Sequence, residues 1–199
     1  MFIDEPAPSP ERQASYEGDI EDLGYVMNLT RAWAWIPAIN TGLFGLLDRA
    51  AQFGELSYRD KGILITASAS TRGDSYCSLA WGTRLAEATD PATAAAVITG
   101  HPSESMTVRD VALASWAGKL AADPNSTTKN DIDDLRRAGL SDQQIVAVTA
   151  YVALRIAFST VNAAIGAAPD HERAKTAPPE VASAISFGRP TDLSPSTGR

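Results

Sequence analysis

Ser141-x-x-Gln144 opens the longest apolar-periodic segment of this chain, about residues 142–166, and that signature commits the fold to helices before anything else does. In such a capping box the serine hydroxyl accepts from the third helical N–H while the glutamine side chain reaches back. Two orphan donors of the first turn are thereby satisfied. The apolar residues fall in two stripes, Ile145, Val148, Val152 and Ile156 on one and Leu154, Phe158, Val161 and Ile165 on the other. An arc that wide predicts burial on two sides, against the core and against a neighbouring subunit. Arg155, Ser159 and Asn162 form a narrow polar stripe at i, i+4 and i+7. A water-facing surface is the default expectation for it, and a pocket lining the alternative.

Other helix signals recur through the middle of the chain. Leu43, Leu46, Leu47 and Ala50 keep helical spacing up to a break near Gly54. Ser57 caps a predicted helix over 57–70, with Asp60 in the first turn where a carboxylate suits the dipole. Its run Ile63-Leu64-Ile65-Thr66 would also suit a buried strand, but the capped start and the length favour helix. Asp90-Pro91 is an N-cap followed by proline at the first helical position. Thr107 begins another helix with Val111, Ala114 and Leu120 inward, and Thr127 or Thr128 a shorter one that Gly139 terminates. Trp33 and Trp35 cannot share a helix face, so the spacing predicts a helix end with one ring in the core and the other at an interface or pocket wall.

The ends read differently. Residues 1–13 carry three prolines without periodicity and predict an extended arm. Residues 168–199 are rich in Pro, Ser and Thr and predict an irregular tail, docked through Val181, Ile185 and Phe187, with the last ten residues disordered. The expectation is a single all-α domain over 14–167, a compact helical bundle.

A net charge of −7 and a pI near 4.8 argue against a nucleic-acid or anionic-membrane surface, which needs clustered Lys and Arg. No run of roughly 18 apolar residues is present, so no membrane span is expected. The N-terminus lacks a basic region followed by an apolar one, and a cytoplasmic setting is expected. A single cysteine excludes an intrachain disulfide, and His101 and His171 show no ligand spacing, so neither metal nor cofactor is expected.

That cysteine, Cys77, lies in Asp74-Ser75-Tyr76-Cys77-Ser78-Leu79-Ala80-Trp81-Gly82, just past a glycine-marked break at the start of a predicted helix. A helix N-terminus favours the thiolate. Asp74 suits the N-cap, and its charge opposes that effect. Asp74, Cys77 and Trp81 would share roughly one helix face, with Arg72 and Arg84 as offsetting cations. A lone cysteine is otherwise most often a small buried hydrophobe.

The stretch from Leu56-Ser57-Tyr58-Arg59-Asp60-Lys61-Gly62 to Tyr76-Cys77-Ser78-Leu79-Ala80-Trp81 resembles the carboxymuconolactone decarboxylase and alkylhydroperoxidase-D-like superfamily, closest to its peroxidase-related branch. Leu140-Ser141-Asp142-Gln143-Gln144-Ile145, the segment 162–170 and Phe187-Gly188-Arg189-Pro190 are similar to later parts of that branch, in the same order. The resemblance covers about residues 20–190 and implies an all-α fold of the alkylhydroperoxidase-D-like type and thiol peroxidase chemistry, while the apolar arc of the helix at 142–166 predicts a homo-oligomer. The branch carries Cys-x-x-Cys-x-x-x-His with an upstream glutamate. By that resemblance Cys77 matches the cysteine that attacks peroxide. Asp74 stands in place of the resolving cysteine, Trp81 of the relay histidine and Gly62 of the relay glutamate.

Peroxide reduction needs a thiolate, a proton donor and a resolving thiol. Indole cannot exchange a proton near neutral pH, and glycine has no side chain. The first expectation is therefore a divergent member without two-cysteine peroxidase activity that binds a small ligand. A second is a one-cysteine peroxidase or redox sensor with an antioxidant role, using Cys77, a cationic activator (Arg72 or Arg84) and an external thiol. A third is a decarboxylase-type lyase with Asp74 as a relocated acid–base group.

Overall fold

The computed structural model describes residues 1–191 of the 199. Residues 192–199, most of the stretch expected to be disordered, lie outside the described residues. The described chain is helical, with no strand among those residues. The helices run in order as α1 Pro10–Leu23, α2 Asn28–Trp33, α3 Pro37–Phe53, α4 Tyr58–Thr71, α5 Ser75–Ala88 and α6 Pro91–Thr99. Then come α7 Val108–Ala122, α8 Lys129–Arg137, α9 Asp142–Ala164, α10 His171–Thr176 and α11 Pro179–Ala184.

Helix α4 is the central element and packs against α5, α6, α7 and α9. Residues Gly62 through Ala69 are buried without a break. A helix surrounded on all sides loses its polar face, which is why Ile63–Thr66 carries strand-like composition while forming a helix. Ser57 and Asp60 complete its capping box. The turn into α5 passes through Gly73, whose φ of +68° is open to glycine at little cost. Close helix contact then depends on small residues. A Cβ at Gly82 would sit 3.0 Å from both Ile98 and Val181, which fixes α5 against α6 and α11.

Several expectations are corrected. Helix α1 begins at Pro10 with Ser9 as its cap, inside the stretch 1–13 expected to be extended, because proline suits a first helical position. The tail expected to be irregular contains α10 and α11, with Val181 fully buried. The buried face of α7 is Leu113, Trp116, Ala117 and Ala121 rather than Val111, Ala114 and Leu120. Trp116 sets that phase, its indole donating to Thr149 on α9 at 3.1 Å. Of the paired tryptophans, Trp33 is buried, whereas Trp35 is exposed and donates to the Asp4 carbonyl.

Helix α9 is long and apolar enough, by length and composition, to cross a membrane. It also carries the buried polar residues Arg155, Ser159 and Asn162 and packs against α3, α4 and α7, as the inner helix of a helical domain does. Its outward positions include Val146 and small alanines, and α3 beside it leaves Ile39, Leu46 and Phe53 exposed.

Candidate functional site around Cys77

The site forms where the first turns of α5 face the polar stripe of α9. Asp74 is the N-cap of α5, and its Oδ1 accepts from the Cys77 backbone N–H at 3.0 Å. Its other oxygen accepts from the Ser159 hydroxyl. Cys77 is 3% exposed and its Sγ accepts from Arg155 Nη2 at 3.9 Å, a long contact. Asn162, the third residue of the stripe, takes the Trp33 indole N–H at 2.7 Å. The stripe is thus turned inward onto buried partners, with Arg155 and Ser159 beside the thiol, against the default of a solvent-facing surface. Spacing alone cannot separate these readings, because a polar stripe looks the same whether it meets water or a buried partner.

Aromatic rings close the site. Trp33 stacks on Phe158 at 5.3 Å, and Phe44 meets Phe158 edge-on at 5.3 Å. The Arg155 guanidinium lies 5.1 Å from the Phe158 ring centre and 5.5 Å from that of Trp81. Arg84 lies 5.1 Å from the same Trp81 ring. The crevice between Ile65, Ser68, Arg72, Cys77, Arg155 and Ser159 is too narrow for a water molecule. A cavity of about 740 Å³ lies elsewhere, between α6, α7 and the tail, and shares no lining residue with this crevice. Size is therefore a poor guide here, and the chemistry points to the smaller space.

These surroundings act on the thiol in a definite direction. Burial pushes the Cys77 thiol well above its ordinary value, the Asp74 carboxylate pushes the same way, and Arg155 opposes both without cancelling them. The helix-terminus effect does not prevail, because burial outweighs it and Asp74 already occupies that N-terminus. The cation at the thiol is Arg155. Arg84 stands instead against Trp81, and Arg72 is exposed at the mouth of the crevice.

Of the positions singled out, Asp74, Cys77 and Trp81 come together and Gly62 does not join them. Gly62 sits against Leu85, where a Cβ would stand 3.1 Å from the leucine Cδ1. A side chain at this position would press on Leu85, which would have to give way. Tyr76, beside the thiol in sequence, turns away and donates to the buried Asp170, which also accepts the Asn28 N–H at 2.7 Å. Arg189 of the tail receives the Ser75 hydroxyl on its carbonyl at 2.7 Å, so the segment 187–190 lies over the start of α5. Among the described residues no group of acidic, histidine and cysteine side chains is arranged to hold a metal ion.

No known protein-family pattern matches the sequence, and no curated protein matches it. Solved structures do. A peroxidase-related protein with an alkylhydroperoxidase AhpD core from Ralstonia eutropha JMP134 aligns over 87% of this chain and 95% of its own at 20% identity, with a TM-score of 0.74. A peroxidase-related protein from Silicibacter sp. TM1040 aligns over 86% and 93% at 20% identity, with a TM-score of 0.72. The debrominase Bmp8, as a cysteine-to-alanine variant in complex with 2,3,4-tribromopyrrole, aligns over 88% and 95% at 18% identity, with a TM-score of 0.70. The chain has the all-α, alkylhydroperoxidase-D-like fold. At these identities the likeness concerns the fold, and the chemistry has to be argued from the residues present.

Proposed function

We propose that this chain is a divergent alkylhydroperoxidase-D-like protein that lacks two-cysteine peroxidase turnover and uses its Cys77 site to bind a small molecule. The observation that carries the reading is the set of groups around the sulfur. They are a capping carboxylate, a hydroxyl, a guanidinium and an indole; none is a resolving thiol, and the positions matched to the relay histidine and glutamate carry an indole and no side chain. The raised thiol adds that the resting sulfur is protonated and a weak nucleophile. Both oxygens of Asp74 are engaged by cap and hydroxyl contacts, which supports a positioning role over that of a relocated acid–base group. Hydroperoxide consumption with dithiothreitol as reductant is the test. The wild type is expected to match Cys77→Ala, and a rate that Cys77→Ala abolishes would overturn the reading.

One observation favours a second reading, a one-cysteine oxidoreductase served by an external thiol. Arg155 points a donor at the sulfur, and a structural neighbour with this fold is a debrominase. Such chemistry requires that the site open and the thiol ionise, so the peroxide assay and a thiol-dependent dehalogenation assay with a brominated pyrrole separate the two readings. Self-association belongs to the same proposal. The apolar surface shared by α3 and α9, with Ile39, Leu46, Phe53 and Val146 exposed, supports it.

A further inference from the structure

The cavity of about 740 Å³ lies between the last turns of α4 and α6, one face of α7 and the tail, and plays no part in the thiol site. Val97, Ile98, Val111 and Phe187 give it apolar walls. No carboxylate side chain lines it among the described residues, and Lys119 in its wall is engaged by Asp131 at 2.5 Å. A charge taken out of water needs a partner, and apart from the exposed His101 imidazole this wall has none free.

Gly118 keeps the space open. It lies inside α7, where glycine weakens a helix relative to alanine. Backbone geometry does not require it, since its φ is not positive. Packing does not require it either. A Cβ at Gly118 would meet only Thr71 Oγ1, at 3.5 Å, which is ordinary contact, whereas at Gly62 and Gly82 a Cβ would crowd Leu85 at 3.1 Å and Ile98 at 3.0 Å. What a side chain at Gly118 would occupy is the cavity.

The hydroxyls around that space are set by the helices that carry them. Ser70 and Thr71 both donate to the Ala67 carbonyl, at 3.1 and 2.8 Å, and Thr99 donates to that of Ala95 at 3.0 Å. A hydroxyl has one hydrogen, so each of these three offers a ligand lone pairs only. Ser115 differs. It lies three residues before Gly118 on the same face of α7, and its hydroxyl has no partner among the described residues, so it can donate.

We infer that this cavity is a binding site for a neutral, largely hydrocarbon molecule that carries a hydroxyl group. The ligand hydroxyl donates to Thr71 Oγ1 beside Gly118 and accepts from Ser115, and the hydrocarbon body packs on Val97, Ile98 and Phe187. The site is separate from Cys77, so the reading of the thiol can fail or succeed independently of it.

The probe is β-naphthol, titrated into the full chain and read by calorimetry, with its methyl ether as the analogue that cannot donate and β-naphthoate as the anion. Saturable naphthol binding in the millimolar range or tighter is expected, with the ether weaker by roughly twofold to tenfold, the range that one neutral hydrogen bond carries. Thr71→Val, nearly isosteric and at an exposed position, should erase the difference between naphthol and ether. Gly118→Leu should abolish binding of both without lowering the melting temperature, because leucine suits a helix interior better than glycine does. Equal binding of naphthol and ether to the wild type would overturn the proposal, as would no saturable naphthol binding or undiminished binding by Gly118→Leu. Tighter binding of naphthoate than of naphthol would also overturn it, since the cavity would then take anions through Lys119 and His101.

Discussion

Two ends of the same central helix carry buried charge, and they are built in opposite ways. At the start of α4, Asp60 closes a capping box and takes Arg109, while Asp110 closes the capping box of α7 and takes Arg59. Each carboxylate there meets a backbone N–H and a two-pronged guanidinium, so each buried charge is matched. Near the other end, Asp74 meets a backbone N–H and a hydroxyl, and Arg155 meets a sulfur at 3.9 Å. Charges that cross-link helices are neutralised in place, whereas those around the thiol are left with capacity for something else. The difference separates a structural use of Asp and Arg from a binding use within one sheath of helices around α4.

The largest effect should come from breaking the matched end. Asp110→Ala leaves Arg59 without its partner and opens a capping box, and should cost about 3 kcal/mol, lessened because Arg59 is partly exposed. Urea melting measures it. The pH dependence of that end follows from the same carboxyl. Burial alone would raise the Asp110 pKa, but bonds from Arg59 and the Thr107 N–H override it and hold the carboxyl below its usual 3.8. Its contribution is therefore present above that ordinary value and is lost as pH falls through the lowered one. Wild type should lose this increment on acidification, and Asp110→Ala should not.

A smaller effect is expected at Asp74. Asp74→Ala removes the α5 cap and strands the Ser159 hydroxyl, at about 1–2 kcal/mol. It should also bring the Cys77 thiol downward, because one of the groups holding it up is gone. Melting and thiol titration on the same variant read both.

The smallest effect sharpens the contrast most. Arg155→Met should leave stability within about 1 kcal/mol of wild type, since a flexible apolar chain replaces a buried guanidinium that has no ion pair. A loss as large as that of Asp110→Ala would mean that both ends are structural and that the contrast is mistaken.

Much of the fold is legible in the residues. Ser57, Asp90, Thr107 and Ser141 mark four helix starts through side chains that bond to local backbone, an interaction that needs no distant partner. The alignment of Asp74, Cys77 and Trp81 follows from helical geometry in the same way. What the sequence leaves hidden depends on partners far along the chain. Arg155 reaches Cys77 across 78 positions, and Ser159 reaches Asp74 across 85. Nothing in the local pattern distinguishes that stripe from a wet surface, and Arg72 and Arg84 look like the thiol's cations only because they are near in sequence. Gly62 reads as a lost side chain, yet its lack of a Cβ lets Leu85 close against α4. The face of α7 is misjudged for a related reason, since Trp116 finds its partner Thr149 on another helix.

The central claim is that Cys77 is kept as a buried, protonated thiol inside a binding site. Alkylation of Cys77 across a pH series, on the folded protein with the unfolded chain as reference, tests it most directly. No labelling of the folded protein at neutral pH, with full labelling once it is unfolded, is the predicted result. Rapid labelling of the folded protein, with an apparent pKa below that of the unfolded chain, would contradict it.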